Sequence, residues 1–412
     1  MNILLINHYA GSPKHGMEYR PYYLAREWVR ENHQVKILAS SESHVRSTSP
    51  ALNNQERLDE DIDGIQYTWF KTPTYIGNSI GRVKNMTAFV LRLFREGRTI
   101  VNTFKPDIVI ASSTYPMDIW PAHRIAKLAN AKLIFEVHDL WPLSPMELGG
   151  MSKWHPFIML VQQAEDYAYH HANAVVSMLP KVRDYMESRG MAADKLHIIP
   201  NGISPTEWQN NNLSELETSI SAQLSQFKNQ GIPIVGYAGT HGVSNALDTM
   251  LDTAHLFQDE KILFVLVGQG SKKDELQQRA AYEKIKNTIF LDHLNKNQIP
   301  KLLQYFDIAY IGWHKQPLYR FGIAPNKLMD YMMAERVVLH SVHAGNDPVT
   351  EAGCGLTVPP ENPQAIAQGI RHLLALNKTE TVLMGRRGRD YILKNHTYPV
   401  LAKRFLKVMQ DA

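Results

Sequence analysis

The chain has 412 residues, of which 44% are hydrophobic and 20% are charged. Such proportions are usual for globular proteins, and the length predicts two domains of ordinary size. Because 44 basic side chains nearly balance 40 acidic ones, the net charge of +4 does not indicate nucleic-acid binding. The single cysteine, Cys354, excludes an intramolecular disulfide and an all-cysteine metal site.

The N-terminus has a short apolar run without a basic leader, which argues against a signal sequence. No window approaches the ~20 consecutive apolar residues of a membrane span. We therefore expect a cytosolic protein.

The first half alternates short apolar runs with amphipathic segments, which predicts a parallel α/β sheet. A strand over 3–6, a loop that contains Gly16, a helix over 19–32 and a strand over 35–39 form one predicted βαβ unit. Its loop is expected at the crevice where parallel strands end. The polar stretch 40–57 is predicted to be a mobile loop.

The segment 81–105 carries six basic residues and one acid among apolar residues at helical spacing. A basic amphipathic helix of this kind can lie on an anionic membrane surface. The alternative is a helix that packs its apolar face on the sheet and solvates its basic face. The two interpretations are compatible.

A predicted strand over 132–137 leads directly into His138 and Asp139. A histidine just beyond a strand's carboxyl end points into the ligand crevice of an α/β sheet, where a neutral imidazole can donate to a sugar hydroxyl. A structural histidine with satisfied nitrogens is the alternative. The acidic stretch 59–63 lies in a predicted polar loop and indicates a solvated surface, so we expect no metal cofactor.

The Asn-, Gln- and Ser-rich segment 208–230 is the strongest compositional break and the predicted interdomain connection. A second βαβ pattern follows. Its first loop contains Thr240 and His241, and its second strand ends at Gly268.

The stretch 319–334 begins as a loop and continues as an apolar-periodic helix. Gly322 is free to adopt backbone angles that other residues avoid, and Asn326 is the predicted N-cap. A helix N-terminus suits a phosphate, and Lys327 adds a full positive charge there. Asp330 can accept hydrogen bonds from two sugar hydroxyls, so the stretch suggests a nucleotide-sugar site. The alternative is a capped surface helix whose first-turn acid is favoured by the helix dipole alone.

With this stretch, the Val137-His138-Asp139 pattern and the Asn201-Gly202-Ile203 turn, the chain resembles the retaining glycosyltransferases of the fourth sequence family. The resemblance covers nearly the whole chain and is strongest to the bacterial branch that transfers amino sugars in surface-polysaccharide assembly. It implies an α/β protein with the GT-B fold, in which two Rossmann-like domains face each other. The implied parts are an acceptor domain over 1–207, a nucleotide-sugar domain over 208–395 and a helix over 396–412 that crosses back to the first domain.

The resemblance also implies roles for single residues. His138 contacts the donor sugar with Asp139 as its support, and Lys327 binds the leaving diphosphate. Asp330 takes the place of the family's ribose-binding acid. Gly322 takes the place of a second acid, so the carboxylate that contacts the donor hexose in the family is absent here.

Thr240 and His241 stand where the family has diphosphate-binding cations, so neutralisation falls on Lys327 and Arg320, with His241 contributing once protonated. Backbone N–H groups over 321–324 are predicted to contact the donor sugar. The predicted donor-binding residues are Gly16, Thr240, His241, Gly268, His293, Leu294, Arg320, Phe321, Gly322, Ile323, Ala324, Asn326 and Asp330.

The implied reaction is retaining transfer of an N-acetylhexosamine or a deoxy derivative from a UDP-sugar. The implied acceptor is an undecaprenyl-diphosphate saccharide or a polysaccharide in O-antigen or capsule synthesis, at the inner face of the cytoplasmic membrane. Two other functions stay open: a nucleotide-sugar epimerase of similar architecture, and a non-catalytic membrane-docking scaffold.

Overall fold

The structure is a computed structural model that describes residues 1–77 and 80–412. The chain divides into two compact units, one of Met1–Asn201 with Tyr398–Ala412 and one of Gly202–Thr397. Each unit contains a largely parallel sheet, so the predicted α/β class is confirmed.

The sheet of the first unit has the strand order β3-β4-β2-β1-β5-β6-β7-β8 and is parallel except for the β3/β4 pair. Its strands are β1 (Asn2–Ile6), β2 (Gln34–Ser40), β3 (Arg57–Ile62), β4 (Ile65–Phe70), β5 (Ile108–Ala111), β6 (Lys132–Val137), β7 (Ala174–Ser177) and β8 (Leu196–Ile198). Its helices up to residue 201 are α1 (Arg20–Arg30), α2 (Ile80–Phe104), α3 (Ile119–Ala129), α4 (Leu143–Glu147), α5 (Pro156–His171) and α6 (Arg183–Ser188).

The sheet of the second unit is entirely parallel, in the order β11-β10-β9-β12-β13-β14. Its strands are β9 (Ile234–Ala238), β10 (Leu263–Val267), β11 (Thr288–Leu291), β12 (Ile308–Gly312), β13 (Val337–Ser341) and β14 (Gly355–Thr357). Its helices are α7 (Thr218–Asn229), α8 (Leu247–His255), α9 (Lys273–Tyr282), α10 (Ile299–Leu303), α11 (Asn326–Met333), α12 (Pro348–Ala352), α13 (Pro363–Ala375) and α14 (Lys378–Asn395).

The last helix, α15 (Tyr398–Asp411), packs on α1 in the first unit. The Trp28 indole donates to the Ala402 carbonyl at 3.3 Å and meets the Phe405 ring edge-on at 5.3 Å. The divisions fall at 201/202 and 397/398, whereas the sequence suggested 207/208 and 395/396. The boundaries differ because the segments next to them pair with each other. Ile203 forms a β-bridge with Thr397, and the Ile203 N–H donates to the His396 carbonyl.

The acidic stretch 59–63 is not the predicted loop, because most of it lies in the edge strand β3, which pairs antiparallel with β4. Edge strands tolerate charged side chains, which also discourage further strand pairing. The strand alternates exposed and half-buried residues, and the Glu60 carboxylate accepts from the Trp69 indole at 3.0 Å.

The carboxyl ends of the parallel strands carry the residues of interest in both sheets. Each strand alternates its side chains between the two faces, and helices cover them with apolar residues. In β1, for example, Ile3 and Leu5 belong to the core that contains α1 and α15. Within residues 1–77 and 80–412, no helix has the length and apolar character needed to span a bilayer.

Candidate active site

In the second unit, α11 is attached to the end of β9. The Tyr331 hydroxyl accepts from the Ala238 N–H at 2.8 Å and lies 3.2 Å from the Ala238 carbonyl oxygen. The apolar residues of this helix, Leu328, Met329, Met332 and Met333, are buried in one core cluster, as its predicted apolar periodicity requires. The helix N-terminus is thereby fixed at the carboxyl edge of the sheet.

The start of α11 differs by one residue from the prediction. Pro325 occupies the N-cap position with an extended backbone, and Asn326 is the first helical residue. The N-cap is the residue with non-helical angles, and Pro325 meets that requirement without providing a capping side chain. The prediction for Gly322 holds, since its φ of 106° lies where a side chain would be strained.

Lys327 has only neutral hydrogen-bond partners. Its ammonium donates to the Tyr237 hydroxyl at 2.8 Å and to the Asn245 amide oxygen at 2.5 Å, and it lies 4.7 Å from the centre of the Tyr237 ring. In the part of the chain that the structure describes, no carboxylate forms an ion pair with it. Burial lowers the pKa of Lys327 to about 7. An anion placed here would restore the charged form, so the site favours a phosphate.

Two loops approach each other closely beside this lysine. Gly268, after β10, has a φ of 144°, and a Cβ there would lie 1.9 Å from the Gly239 carbonyl oxygen. The Thr240 carbonyl accepts from the Tyr237 hydroxyl at 2.7 Å and from the Asn245 amide at 2.9 Å. The predicted positions Thr240 and Gly268 therefore lie in one site with Lys327.

His241 does not carry the predicted positive charge. Burial, followed by the nearby cations Lys273 and Lys327, lowers its pKa to about 4, so the ring is neutral near pH 7. The side chain is fully buried, and its ring nitrogens have no hydrogen-bond partner among the described residues. The contribution of His241 to diphosphate neutralisation, expected once an anion protonates the ring, stays a prediction.

Asp330 lies one turn beyond Lys327, near the ion pair that Lys296 forms with Glu207 at 2.6 Å. Burial raises the pKa of Asp330 to about 7; Lys296 opposes this shift and Glu207 adds to it. Near neutral pH the carboxyl therefore exchanges between forms that accept and donate hydrogen bonds. Either form can bind a hydroxyl group.

The loop before α11 uses two of the four backbone donors that were predicted to contact the sugar. The Ile323 N–H donates to the Asn346 side-chain oxygen at 2.7 Å, and the Gly322 N–H donates to the Tyr319 carbonyl at 2.9 Å. Asn346 and the local turn therefore already engage the N–H groups of Gly322 and Ile323, and the predicted contacts with the sugar stay predictions. The side chains of Phe321 and Ile323 are buried, and Ala324 is half-buried.

Arg320 is exposed and held on its own turn. Its guanidinium donates to the Pro317 carbonyl at 2.7 Å and lies 4.2 Å from the centre of the Phe321 ring. Beyond β11, His293 is exposed and Leu294 is buried in the core. This segment adjoins the β10 loop, because the Gly268 N–H donates to the Leu291 carbonyl at 3.2 Å. The predicted contact of His293 and Leu294 with the donor stays a prediction.

In the first unit, His138 belongs to a buried charge network. Its Nε2 lies 2.9 Å from the Ser112 hydroxyl and 3.3 Å from the Glu136 carboxylate. Arg20 reaches the other oxygen of Glu136 at 2.9 Å and donates to the Ile199 carbonyl at 2.9 Å. Burial alone would raise the pKa of Glu136, but Arg20 and then His138 hold it at about 2.

This network determines how His138 can bind a ligand. The Ser112 hydroxyl donates to Glu136 at 2.6 Å, so both neighbours of Nε2 act as acceptors and Nε2 carries a proton. In a neutral ring the other nitrogen, Nδ1, is then an acceptor. A neutral His138 would therefore accept from a sugar hydroxyl, which reverses the direction of the predicted hydrogen bond.

Asp139 does not support His138 as predicted. Its carboxylate accepts from the Leu140 N–H at 2.9 Å and from the Ser144 hydroxyl at 2.6 Å, which fixes the loop into α4. Glu136 takes the supporting role. The spacing Glu136-x-His138 places both side chains on one face of the strand end, and this was the available signal in the sequence. Arg20 comes from a distant segment, so no local pattern pointed to its pairing with Glu136.

Gly16 lies in a tight turn with a φ of 88°, and its N–H donates to the Ser12 carbonyl at 2.8 Å. A Cβ at this position would lie 2.5 Å from the Ser47 hydroxyl. The turn therefore requires glycine, whatever its role toward a donor.

Comparison with known proteins identifies the kind of enzyme that contains these residues. Residues 15–202 match the glycosyl transferase 4-like domain family, and residues 232–376 match the glycosyl transferases group 1 family. This chain is a glycosyltransferase. The transferase is 22% identical over 384 residues to WcaI of Escherichia coli (strain K12), which is named as a colanic acid biosynthesis glycosyl transferase; the match covers 86% of this chain and 88% of WcaI.

Solved structures show that the transferase has the GT-B fold. Sucrose-phosphate synthase from Thermosynechococcus elongatus has a TM-score of 0.72 at 14% identity, over 99% of this chain and 98% of that one. Trehalose-6-phosphate synthase OtsA has a TM-score of 0.74 at 11% identity, over 100% of this chain and 99% of that one. Anabaena Alr3699/HepE, solved with UDP and glucose, has a TM-score of 0.67 at 15% identity, over 100% of both chains.

The Arg20–Glu136 pair yields a prediction on stability. Arg20→Met leaves a buried carboxylate without its cation, so we expect a loss of about 3–5 kcal/mol in the free energy of unfolding, measured by urea denaturation. Adding Glu136→Gln to this variant removes the uncompensated charge and should recover part of the loss. The control is Arg30→Met, an exposed partner of Glu27 on the same helix, with an expected loss below about 1 kcal/mol. Equal effects of Arg20→Met and Arg30→Met would contradict the assignment.

Asp330 yields a prediction on pH dependence. Its pKa is about 7 in the folded protein against 3.8 ordinarily, so the folded protein retains a proton that the unfolded chain releases between these values. Stability of the wild type therefore falls as pH rises from about 4 to 7, relative to a variant without this carboxyl. We expect Asp330→Asn to have a higher Tm than the wild type at pH 8, with the smallest difference near pH 4. Asp274→Asn, at an exposed site on α9, is the control, and a pH-independent difference for Asp330→Asn would contradict the prediction.

Proposed function

We propose that this glycosyltransferase moves a hexosamine-type sugar from a UDP-sugar to a hydroxyl of a lipid-linked saccharide, with retention of the anomeric configuration. The observation that carries the proposal is Lys327, whose ammonium has neutral partners and lies at the end of β9 beside the N-terminus of α11. Such a position stabilises the negative charge of a departing diphosphate.

The donor assignment has two supports. HepE was solved with UDP-glucose and an Escherichia coli relative of the fold with UDP-2-fluoro glucose. In this chain, Asp330 lies one turn after Lys327 on α11, so its carboxyl can bind the ribose hydroxyls while Lys327 binds phosphate. The colanic acid assignment of WcaI supports a place in bacterial surface-polysaccharide synthesis, such as O-antigen or capsule.

The proposed step balances without a covalent enzyme intermediate. The bond between the anomeric carbon and the UDP oxygen breaks as the acceptor oxygen bonds to the same face of the sugar. The acceptor proton passes to the leaving phosphate oxygen, and UDP departs. Lys327 and the amides of α11 stabilise the phosphate charge, while His138 orients the donor sugar by accepting from one of its hydroxyls.

No metal takes part in the proposed step. Among the described residues, no group of three or more His, Cys, Asp or Glu side chains is arranged to hold a metal ion. Assays with and without a chelator test this part of the proposal, and a loss of transfer restored by a divalent cation would overturn it.

The reaction is tested directly by incubating the enzyme with UDP-N-acetylglucosamine and an undecaprenyl-diphosphate-linked sugar. We expect UDP release and a product whose anomeric coupling in NMR matches that of the donor. An inverted product would overturn the retaining mechanism. Thermal shifts with UDP, GDP and ADP test the nucleobase independently, with the largest stabilisation expected for UDP.

A matched pair of lysine variants tests the diphosphate role. We expect Lys327→Met to weaken UDP binding about tenfold or more in calorimetry, because a charge-assisted hydrogen bond to phosphate is lost. Binding of uridine, which lacks phosphates, should be unchanged. The control Lys228→Met removes the same charge beside Asp307, just before β12 at the amino edge of the sheet, and should leave UDP affinity intact. Unaltered UDP binding by Lys327→Met would contradict the role.

We also propose that α2 holds the enzyme on an anionic membrane surface. The predicted packing of its apolar face is confirmed, since Met86, Phe89, Leu93 and Ile100 are buried. Its outer face combines exposed apolar residues with cations: Ile80 is 77% exposed, Leu91 is 62% exposed, and Arg95 and Arg98 are also exposed. Apolar insertion together with cations near anionic lipid gives peripheral binding at the inner membrane face.

Vesicle sedimentation tests the membrane role of α2. We expect the wild type to bind phosphatidylglycerol vesicles in a salt-sensitive manner and Arg95→Glu with Arg98→Glu to reduce binding about tenfold or more, at about 1 kcal/mol per cation lost. The control carries Lys403→Glu with Arg404→Glu on the exposed face of α15, the same charge change in the same unit. Equal losses in both variants would mean that bulk charge, and not α2, drives binding.

A further inference from the structure

Two loops of the second unit are attached to each other just before the helix that carries Lys327. We define the donor loop as 322–325, which leads into α11, and the support loop as 342–347, which connects β13 to α12. The support loop follows β13 at the carboxyl edge of the parallel sheet, where ligands of α/β proteins bind. The contacts between the two loops therefore fix the backbone next to the candidate donor site.

The side chain of Asn346 makes the most specific of these contacts. Its amide oxygen accepts from the Ile323 N–H at 2.7 Å, and its amide nitrogen donates to the Ile323 carbonyl at 3.1 Å. One side chain thus binds both backbone groups of a single residue, as a paired strand would. Asn346 is half-buried, and the Ile323 side chain is buried in the same core cluster as Leu328 and Met329. The core therefore holds the donor loop by a side chain, and Asn346 holds it by its backbone.

The residue before Asn346 makes a second contact. The Gly345 N–H donates to the Tyr319 carbonyl at 2.8 Å, and the same carbonyl accepts from the Gly322 N–H at 2.9 Å. A Cβ at Gly345 would lie 2.1 Å from the Arg320 carbonyl oxygen, so this close approach requires glycine. The two loops therefore pack too closely for one of them to shift without the other.

The far end of the support loop is anchored by Asp347. Its carboxylate lies 3.3 Å from Nδ1 of His340, a residue of β13 that is 1% exposed. As the N-cap of α12, the carboxylate also accepts from the Thr350 N–H at 3.2 Å and from the Thr350 hydroxyl at 2.6 Å. Burial alone would raise the pKa of Asp347, but hydrogen bonds from His340 and then Thr350 hold it below its ordinary value. Asn346 is therefore attached to a strand and to a helix through the residue that follows it.

We infer that Asn346 is a positioning residue for sugar transfer, because it holds the donor loop in the place where the loop meets the sugar of the donor. The inference rests on the proposed function, since the predicted sugar contacts lie at 321–324. Binding both backbone groups of Ile323 orders the loop before the donor arrives, so the donor does not have to order it. A sugar held in one place relative to the acceptor reacts faster than a sugar that is free to shift.

The part of the site that binds the nucleotide has a different support. The Tyr331 hydroxyl contacts both backbone groups of Ala238, and the apolar face of α11 is buried in the core. Lys327 and Asp330 therefore keep their positions without Asn346. Loss of the Asn346 amide should disturb the sugar and spare the nucleotide. A residue that only stabilises the fold would instead lower the Tm and leave the turnover of the folded enzyme unchanged.

The test compares turnover with nucleotide affinity in Asn346→Ala. Turnover is measured with UDP-N-acetylglucosamine and an undecaprenyl-diphosphate-linked sugar, and UDP affinity is measured by calorimetry. We expect kcat to fall at least tenfold, because a displacement of about 1 Å can cost about 10²-fold in rate, and UDP affinity to stay within about twofold. Asn346→Gln keeps both amide groups on a side chain that is one methylene longer, and it should retain more turnover than Asn346→Ala.

Asn377→Ala is the matched control. The Asn377 side chain accepts from the Glu380 N–H at 3.0 Å and caps α14 in the same unit. Its removal should lower the Tm through the loss of a helix cap and leave both kcat and UDP affinity unchanged. An equal fall of kcat in Asn346→Ala and Asn377→Ala would contradict the positioning role.

Hydrogen exchange of the donor loop separates this inference from the proposed function. In Asn346→Ala we expect the amides at 322–324 to exchange at least tenfold faster than in the wild type, with no change in α13. A wild type that neither binds UDP nor transfers the sugar would overturn the donor proposal, while faster exchange at 322–324 would still support the attachment of the loop by Asn346. Unchanged exchange at 322–324, a kcat within about twofold of the wild type, or a loss of UDP affinity as large as the loss of kcat would overturn the positioning role.

Discussion

The interaction on which the candidate site depends is the contact of the Lys327 ammonium with two neutral partners, the Tyr237 hydroxyl and the Asn245 amide oxygen. A partly buried cation without a carboxylate is unfavourable in the folded chain, as its pKa of about 7 records. The folded protein tolerates this cost because Tyr331 and the apolar face of α11 hold the helix firmly on β9. The packing of α11 on β9 thus offsets the cost of keeping Lys327 without an anionic partner, at the position where we propose that the diphosphate binds.

The first unit uses the opposite arrangement of charge. Glu136 is almost fully buried, yet Arg20, Ser112 and His138 satisfy its oxygens. A buried ion pair of this kind contributes little net stability, but it is sensitive to the loss of either partner. The contacts of His138 with Ser112 and Glu136 place a proton on its Nε2 and fix the orientation of the ring. Among the described residues, the second unit therefore presents a cation without a carboxylate partner, and the first unit presents a histidine that is oriented by a buried carboxylate.

The likeness to known structures is broad in fold and low in sequence, with 11–15% identity over nearly whole chains. At that distance, fold similarity does not transfer a substrate, since function resides in particular side chains. The resemblance of the sequence predicts that Gly322 replaces an acid and that Thr240 and His241 replace cations. Lys327 is the cation of the candidate donor site with the clearest structural support.

The sequence alone determined the α/β class, the two parallel sheets and the position of the central helix, because these follow from apolar periodicity and from turn residues within short segments. It also indicated Lys327 and Gly322, whose chemistry is legible in the local pattern of glycine, proline and helix start. Only the tertiary structure decided which groups meet. The pairing of Arg20 with Glu136, the engagement of Ile323 by Asn346 and the neutral state of His241 all depend on segments that are distant in sequence. Hydrogen-bond partners and burial set the charge state and direction of each functional group, and no local pattern encodes them.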